Sequence, residues 1–206
     1  MHPNPVFRKA RPESAMEFAH QRGFGILSVN GKDGPIAAHV PFTISSDGTF
    51  IEAHVTRSNP IARVLTMPQP ALLAISGPDG YISPDWYGVE NQVPTWNYIA
   101  VHIRGQLSLT PETGLLGVLE RLSTEFESRL APKPVWLTEK VSADVLNKMM
   151  RMIIPIRLDI TSTDSTRKLG QNKPEEARLG AADGLATSQV GSELTTLAEM
   201  MREALE

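Results

Sequence analysis

The sequence predicts a mainly β protein in which an antiparallel sheet is accompanied by a few helices. Apolar and polar residues alternate through several runs, the longest over 99–109, and turns rich in Gly, Asn and Asp separate these runs. The predicted order is three strands, a short helix, a strand, a long loop, a long strand, two helices and a strand. Closure into a small Greek-key barrel would remove the sheet edges, and an open sheet covered by helices is the alternative.

The composition is that of a globular protein. Hydrophobic residues make up 41% of the 206 residues and charged residues 21%, which is enough apolar content for one well-buried core. The net charge of −3 gives no general attraction to nucleic acid. The chain has no cysteine, which excludes disulfides, cysteine-ligated metals and thiol nucleophiles. Because there is neither a signal-peptide pattern nor a long apolar run, we expect a cytoplasmic protein without a membrane segment.

The first part of the chain is predicted to form a helix and a three-stranded meander. A proline in the first turn and a glycine after the last predict a helix over 12–22. Strands are predicted over 23–30, 34–44 and 49–55, because turn residues separate these three runs. Pro41 cannot donate to a sheet ladder, so we expect this part of the second strand at an edge or a bulge.

A short helix, a strand and a loop come next. Pro60 suits a first helical position, and Ser58 or Asn59 can cap the helix. The apolar run 71–76 predicts a buried strand. The segment 77–98 is rich in Gly, Pro and Asp, and it is therefore predicted to be a loop.

The strand over 99–109 is expected to have one face in water and a bulge or bend at Gly105. A helix follows from Thr110, and the residues on its apolar stripe are Leu115, Leu119, Leu122 and Phe126. A second helix is predicted over 142–152, and the last strand over 154–160.

One domain with an extension is predicted. Residues 1–160 form the barrel with its covering helices, and residues 161–206 form a polar C-terminal extension. Beyond Asp159 the apolar content is too low for a separate core, so we expect the extension to lie over the surface or to be mobile. The extension ends in a helix whose apolar stripe is Leu194, Leu197, Met201 and Leu205.

One segment has the pattern of an anion site. AHVTRSNP, residues 53–60, brings a Thr, an Arg, a Ser and an Asn to the start of a helix, where backbone donors and the helix dipole favour a phosphate. The alternative is an ordinary capped helix with a surface arginine.

Other site classes receive little support. His39 and His54 occupy equivalent places in neighbouring predicted strands, but no third ligand has a fitting spacing, so we predict no metal site. The sequence contains neither a serine-hydrolase elbow nor a phosphate-binding glycine loop, which argues against hydrolases and NTPases.

Aromatic residues are concentrated in the predicted loop. Five of the twelve aromatic residues fall within 77–98, namely Tyr81, Trp86, Tyr87, Trp96 and Tyr98. Interleaved with polar residues, they suit a planar polar heterocycle. The alternative is a loop that its aromatic residues anchor to the barrel.

Several stretches together resemble the PaiB-type FMN-binding split-barrel proteins, a family of negative transcriptional regulators. They are HVPF at 39–42, AHVTRSNP at 53–60, GPDGYISPDWY at 77–87, VPTWNYIAVHIRG at 93–105 and KLGQNKPEEARLG at 168–180. The combination of YISPDWY with VPTWNY is the most specific part of this resemblance.

The resemblance implies a split barrel, an antiparallel Greek-key barrel that forms a homodimer with FMN in a groove at the subunit interface. It implies a phosphate site at Thr56, Arg57, Ser58 and Asn59. It places at the flavin ring, or near it, the strand residues His39, Val40, Pro41 and His54. It also implies that the groove is lined by Thr95, Trp96 and Asn97, with Lys168 and Gln171 close by.

The chain departs from the family pattern at two places. Gly170 stands where family members usually carry Ser, and Tyr87-Gly88-Val89-Glu90 replaces a common Tyr-Pro-Ser-Lys. The loss of a lysine and the gain of Glu90 are expected to weaken an anion site there.

Three functions remain open from the sequence. The resemblance implies a homodimeric FMN-binding regulator, and the lack of a helix-turn-helix pattern or a basic stripe argues for indirect regulation and against direct DNA contact. The first alternative is a flavin-dependent oxidoreductase that takes a hydride from a nicotinamide nucleotide. The second is a dimeric binding module that has lost its cofactor.

Overall fold

Seven strands of the described chain form one sheet. The computed structural model describes residues 1–8 and 11–204, with only the backbone of Pro12. The strands are β1 (Phe24–Gly31), β2 (Gly34–Ile44), β3 (Phe50–Thr56), β4 (Gln69–Ile82), β5 (Thr95–Leu109), β6 (Ile153–Lys168) and β7 (Gly191–Ser192). Their order is β1-β2-β3-β6-β5-β4-β7, and β1 also pairs with β4. This last pairing closes six strands into a ring, so the predicted barrel is confirmed and the open sheet is excluded.

The chain divides into two compact units. We call residues 16–75 and 103–163 the barrel unit, and residues 1–15, 76–102 and 164–204 the flank unit. Strands β1, β2 and β3 lie within the barrel unit, whereas β4, β5 and β6 each contribute residues to both units. The predicted boundary between the domain and its extension after residue 160 stays a prediction.

The core of the barrel unit consists of the inward residues of its strands. Alternate residues of β1, β2 and β3 are buried, as the period of two predicts. The side chains that meet in the barrel interior are Leu27, Val40, Phe42, Ile51, Ala53, Leu73, Leu107, Ile156 and Leu158. Burial of a Leu, Ile or Phe side chain contributes roughly 1.5–3 kcal/mol, so this interior is the main source of the unit's stability.

Pro41 lies where β2 changes partner. Its register partner in β1 is Phe24, and the antiparallel register with β3 begins one residue later, with Phe42 opposite Ala53. On the β3 side the ladder therefore does not include Pro41, which agrees with the edge predicted from its missing N–H.

Six α-helices of the described chain accompany the sheet. They are α1 (Pro12–Arg22), α2 (Pro60–Val64), α3 (Leu115–Ser128), α4 (Ala143–Met150), α5 (Glu175–Ala186) and α6 (Leu194–Glu203). The predicted helices are present, but the buried residues of α3 are Leu115, Val118 and Leu122, whereas Leu119 and Phe126 of the predicted stripe are only partly buried. None of the described helices is long and apolar enough to cross a membrane.

The predicted loop over 77–98 is wrong at both ends. Strand β4 continues to Ile82, and β5 already begins at Thr95. Glycine has a packing role here: a Cβ on Gly80 would lie 2.6 Å from Leu185 Cδ1, so α5 approaches the strand closely at this position. The Gly-Pro-Asp-Gly sequence is therefore part of a strand covered by a helix.

The residues beyond Asp159, which we expect from composition to lie over the surface or to be mobile, form regular elements with buried residues. Strand β6 continues to Lys168, and α5 has a buried face composed of Ala177, Ala181, Ala182 and Leu185. The helix packs by small residues, because a Cβ on Gly180 would lie 2.6 Å from the carbonyl oxygen of Trp86. Residues Leu197 and Met201 of α6 are buried as predicted, and Leu205 lies outside the described residues.

Candidate functional site

The predicted phosphate segment is a turn between β3 and α2. The Asn59 side-chain oxygen accepts a hydrogen bond from Ile61 N at 2.9 Å, so Asn59 is the cap of α2. The Thr56 and Ser58 hydroxyl oxygens lie 3.4 Å apart and both residues are exposed. Helix α2 has only five residues, so its dipole contributes little to anion binding. The hydroxyl groups of Thr56 and Ser58 and the Arg57 guanidinium are therefore the groups left to bind a ligand.

Arg57 already has an anionic partner. Its NH1 donates to Glu112 Oε1 at 2.7 Å and its NH2 donates to Glu112 Oε2, so the two side chains form a bidentate pair. Its Nε donates to the carbonyl oxygen of Arg151 at 2.7 Å. Hydrogen bonding to Glu112 raises the pKa of Arg57, and hydrogen bonding to Arg57 lowers the pKa of Glu112. The guanidinium thus binds a carboxylate in the geometry that it would use for a phosphate.

The strand residues predicted near the flavin ring divide between the two faces of β2 and β3. His39 is exposed, while Pro41 and His54 are partly exposed, and all three alternate with buried neighbours. Val40 is 3% exposed and lines the barrel interior, so only its backbone is available to a ligand on the outer surface.

Sequence reasoning missed Phe24, which extends this outer face. Its side chain is 52% exposed, and its ring is stacked on that of His39 with centroids 6.2 Å apart and planes 29° apart. The alternation of β1 could have predicted this exposure. Phe24 lies on the same outward face of the strand as Ser28, whereas Leu27 points inward. An exposed aromatic pair on a rigid strand is a platform for a planar ligand.

His54 has an unsatisfied polar atom. Its Nδ1 is buried and has no hydrogen-bond partner among the described residues. Burial lowers the pKa of His54, which keeps the imidazole neutral at neutral pH. A buried polar atom without a partner is costly in a native structure, so a ligand whose polar edge reached this atom would stabilise the site.

In the flank unit, the start of β5 holds three predicted groove residues with different environments. Trp96 is 46% exposed and contacts the edge of Tyr81, with ring centroids 6.4 Å apart. Asn97 is 1% exposed and its Nδ2 donates to the sulfur of Met201, so this residue supports α6. Thr95 is partly exposed and accepts a hydrogen bond from Lys168.

Gln171 supports the turn after β6. Its Oε1 accepts from Leu169 N at 2.8 Å, and its Nε2 donates to the Arg167 carbonyl at 2.7 Å. Lys168, by contrast, extends towards Thr95, and burial followed by the charge of Lys173 lowers its pKa. Of the two residues predicted near the groove here, Lys168 is the one with hydrogen-bonding capacity left for a ligand.

The two departures from the family pattern have different consequences. Gly170 has φ +80°, a conformation that favours glycine, so this residue suits the turn better than a Ser would. Glu90 is exposed, and its backbone oxygen accepts from Gln92 Nε2 at 3.1 Å.

The described residues contain no cluster of three His, Asp or Glu side chains that could hold a metal ion.

A cavity of about 690 Å³ in the barrel unit lies away from all of these residues, between the β2–β3 turn and α3. Three of its charged side chains are already paired, because Arg121 pairs with Glu52 at 2.7 Å and Glu125 pairs with Arg129. The predicted site residues do not line it, and we do not assign it to the ligand.

Comparison with known proteins identifies the family of the chain. Residues 1–162 match the family described as "Putative FMN-binding domain". The chain belongs to this FMN-binding domain family. A curated relative, protease synthase and sporulation protein PAI 2 of Bacillus subtilis, is 28% identical over 201 residues, which are 97% of this chain and 95% of the relative. The resemblance to PaiB-type proteins is thereby confirmed.

Solved structures share the fold of this FMN-binding domain protein. The FAD and heme binding protein from Mycobacterium smegmatis has a TM-score of 0.57 at 15% identity, with 79% of this chain and 73% of that chain covered. The flavocytochrome Anf3 from Azotobacter vinelandii has a TM-score of 0.58 at 15% identity, covering 81% and 72%. At these identities the two comparisons show the common fold and nothing more.

Proposed function

We propose that this protein binds FMN as a PaiB-type flavoprotein and that it acts in regulation indirectly. The observation that carries the proposal is the outer face of the barrel unit, where His54 has an unsatisfied buried nitrogen two residues before Thr56 and three before Arg57. A polar heterocycle with a phosphate tail needs a hydrogen-bonding edge and an anion partner, and β3 with its following turn supplies both.

Each residue of this face is proposed to have a defined role. The stacked pair of Phe24 and His39 supports the planar ring, and His54 exchanges a hydrogen bond with a polar ring atom. Arg57 binds the phosphate after exchange of its Glu112 partner, which is feasible because the Glu112 side chain is 57% exposed. Bound FMN would supply reversible electron transfer.

Further features implied by the family resemblance belong to the same proposal. The protein is a cytoplasmic homodimer with a groove at the subunit interface, and Thr95 and Trp96 line that groove. Direct contact with duplex DNA is not proposed, because the net charge is −3 and the sequence contains no basic stripe. Regulation would then depend on a small molecule or a protein partner.

A cofactor-free binding module is the second candidate, and one observation favours it. Glu112 satisfies the Arg57 fork without any ligand, so the turn after β3 is stable as it stands. The two candidates differ in a single measurable property, namely saturable binding of FMN.

Titration with FMN and with riboflavin tests the proposal, with flavin fluorescence as the readout. We expect saturable binding of FMN and weaker binding of riboflavin, which lacks the phosphate. Arg57→Ala should weaken FMN binding by roughly ten- to a hundredfold, because a hydrogen-bonded charge pair contributes about 1.5–3 kcal/mol. Glu112→Gln should strengthen it, because it removes the competing carboxylate.

The matched control is Arg63→Ala, which removes an exposed arginine from the neighbouring helix α2. It should leave FMN affinity unchanged. Equal affinities of wild type, Arg57→Ala and Arg63→Ala would contradict the phosphate assignment. The absence of any flavin binding would favour the cofactor-free module.

A further inference from the structure

The turn after β6 directs two lysines of the flank unit at one short segment. Lys168 Nζ contacts the hydroxyl oxygen of Thr95, and Lys173 Nζ contacts Gln92 Oε1. Gln92 and Thr95 are the ends of a four-residue stretch that leads into β5. The two ammonium groups therefore contact side chains of the same short segment.

Backbone hydrogen bonds fix this turn without a ligand. Leu169 N donates to Gln171 Oε1 at 2.8 Å, and Lys173 N donates to the Gly170 carbonyl at 2.9 Å. The positive φ of Gly170 makes the reversal possible. Both lysines are partly buried at their positions on either side of this reversal.

Neither lysine has a carboxylate partner among the described residues. Each ammonium group has more N–H donors than its one neutral acceptor uses. Asp164, four positions before Lys168, pairs with Arg8. Glu175 and Glu176, which follow Lys173, are exposed and form no ion pair with either lysine in the described part of the chain. The cluster is thus rich in donors and carries uncompensated positive charge.

Other cations of the chain are arranged differently. Lys133 pairs with Glu127, and the buried Arg178 donates to the carbonyl oxygens of Met201 and Arg202 at the end of α6. At the turn after β6, in contrast, the second ammonium contributes to lowering the pKa of Lys168. Two like charges held together in this way are stabilised by an anion between them.

We propose that Lys168, Lys173 and the Thr95 hydroxyl form an oxyanion site that binds a phosphate group. A phosphate accepts hydrogen bonds from both ammonium groups and from the hydroxyl. The rings of Phe7 and Tyr87 lie 5.9 Å and 5.2 Å from the respective ammonium groups and occupy part of the space around them. The site does not depend on flavin binding by the barrel unit.

Phosphate is the chemistry that any nucleotide would bring to this cluster. Trp96 follows Thr95 in β5, and successive side chains of a strand point to opposite faces, so the indole is not part of the cluster. The two ammonium groups and the Thr95 hydroxyl are therefore assigned to a phosphate group alone.

Calorimetric titration of the flavin-free, full-length chain with inorganic pyrophosphate at low salt tests the site. We expect one saturable site per chain. Lys168→Met and Lys173→Met should each weaken binding by about tenfold or more, and Lys168→Arg and Lys173→Arg should retain it. Lys148→Met, at an exposed lysine of α4, is the charge-matched control and should bind as the wild type does.

Two results would overturn the proposal: no saturable binding by the wild type, or wild-type affinity in both methionine variants. If Arg57→Ala lost pyrophosphate binding while the lysine variants kept it, the ion would be assigned to Arg57, and this result would also overturn the proposal. Titrations with FMN and with ADP then identify the source of the phosphate. Weaker FMN binding in the lysine variants would identify the flavin as the source of the phosphate and would contradict the assignment of that phosphate to Arg57. Weaker ADP binding alone would identify a second nucleotide and would leave the Arg57 assignment intact. Both results support the oxyanion site.

Discussion

His54 couples the proposed flavin site to the stability of the barrel unit. Burial lowers its pKa below the ordinary value of 6.5, so below that pH the unfolded chain takes up the proton more readily than the folded chain. Stability that is fully present above pH 6.5 is therefore lost as the pH falls towards the folded pKa. A ligand that satisfies Nδ1 would reinforce the neutral form.

Urea unfolding at pH 7.5 and pH 5.5 measures this coupling. We expect the wild type to lose more stability on acidification than His54→Gln, which has no titrating imidazole at this position. His39→Gln, at an exposed histidine of the same outer face, should keep the wild-type response. An identical loss of stability in wild type and His54→Gln would rule out this role for His54.

The sequence identifies residue types at the site better than it identifies their partners. The Thr-Arg-Ser-Asn turn is recognisable from its composition, but Arg57 and Glu112 are 55 positions apart, and no local pattern relates them. Asn97 and Gln171 were predicted at the groove, yet their amides hold α6 and the turn after β6. Tertiary contacts decide which polar side chains already form hydrogen bonds within the fold.

At the scale of elements, helix α5 depends on glycine for its close packing. A Cβ on Gly184 would overlap the ring of Trp86, a contact within the flank unit. Gly184→Ala should therefore destabilise the protein by about 1–3 kcal/mol, although alanine is the better helix former. Urea denaturation at constant pH provides the measurement.

The same substitution in another helix provides the control for Gly184. Gly117→Ala in α3 places a Cβ against only the flexible end of Arg121, at 3.1 Å. This variant should be neutral or more stable by up to about 1 kcal/mol. Equal stability changes in Gly117→Ala and Gly184→Ala would contradict a packing role for Gly184.

Elements with regular alternation were predicted well, and those with small residues were not. The meander β1–β3 and the long strand β5 have clear periods of two, and their turns contain Asn, Asp and Gly. The second half of β4 contains Gly77 and Pro78, and β6 after residue 160 is rich in Thr and Ser. Such residues resemble loops locally, although a covering helix or a neighbouring strand makes them part of the sheet.

At the scale of the whole molecule, the resemblance predicts a homodimer. Helix α4 and the residue two positions after it expose Val145, Met149 and Met152, and the helix has no buried residue. Exposed apolar helix faces are surfaces that self-association commonly covers. Light scattering after size exclusion should therefore give twice the mass of the chain. If light scattering gave the mass of a single chain at every protein concentration up to about 100 micromolar, the homodimer would be contradicted.

The pairing of β1 with β4 determines when the barrel can be completed during synthesis. The first 82 residues contain β1, β2, β3 and β4, and these can associate in the order β3-β2-β1-β4 while the ribosome is still translating. The gap between β4 and β3 is filled only by β5 and β6, and β6 ends at Lys168. Until β5 and β6 have been synthesised, β3 and β4 of the nascent chain each have an unpaired edge, and a chaperone would bind these edges.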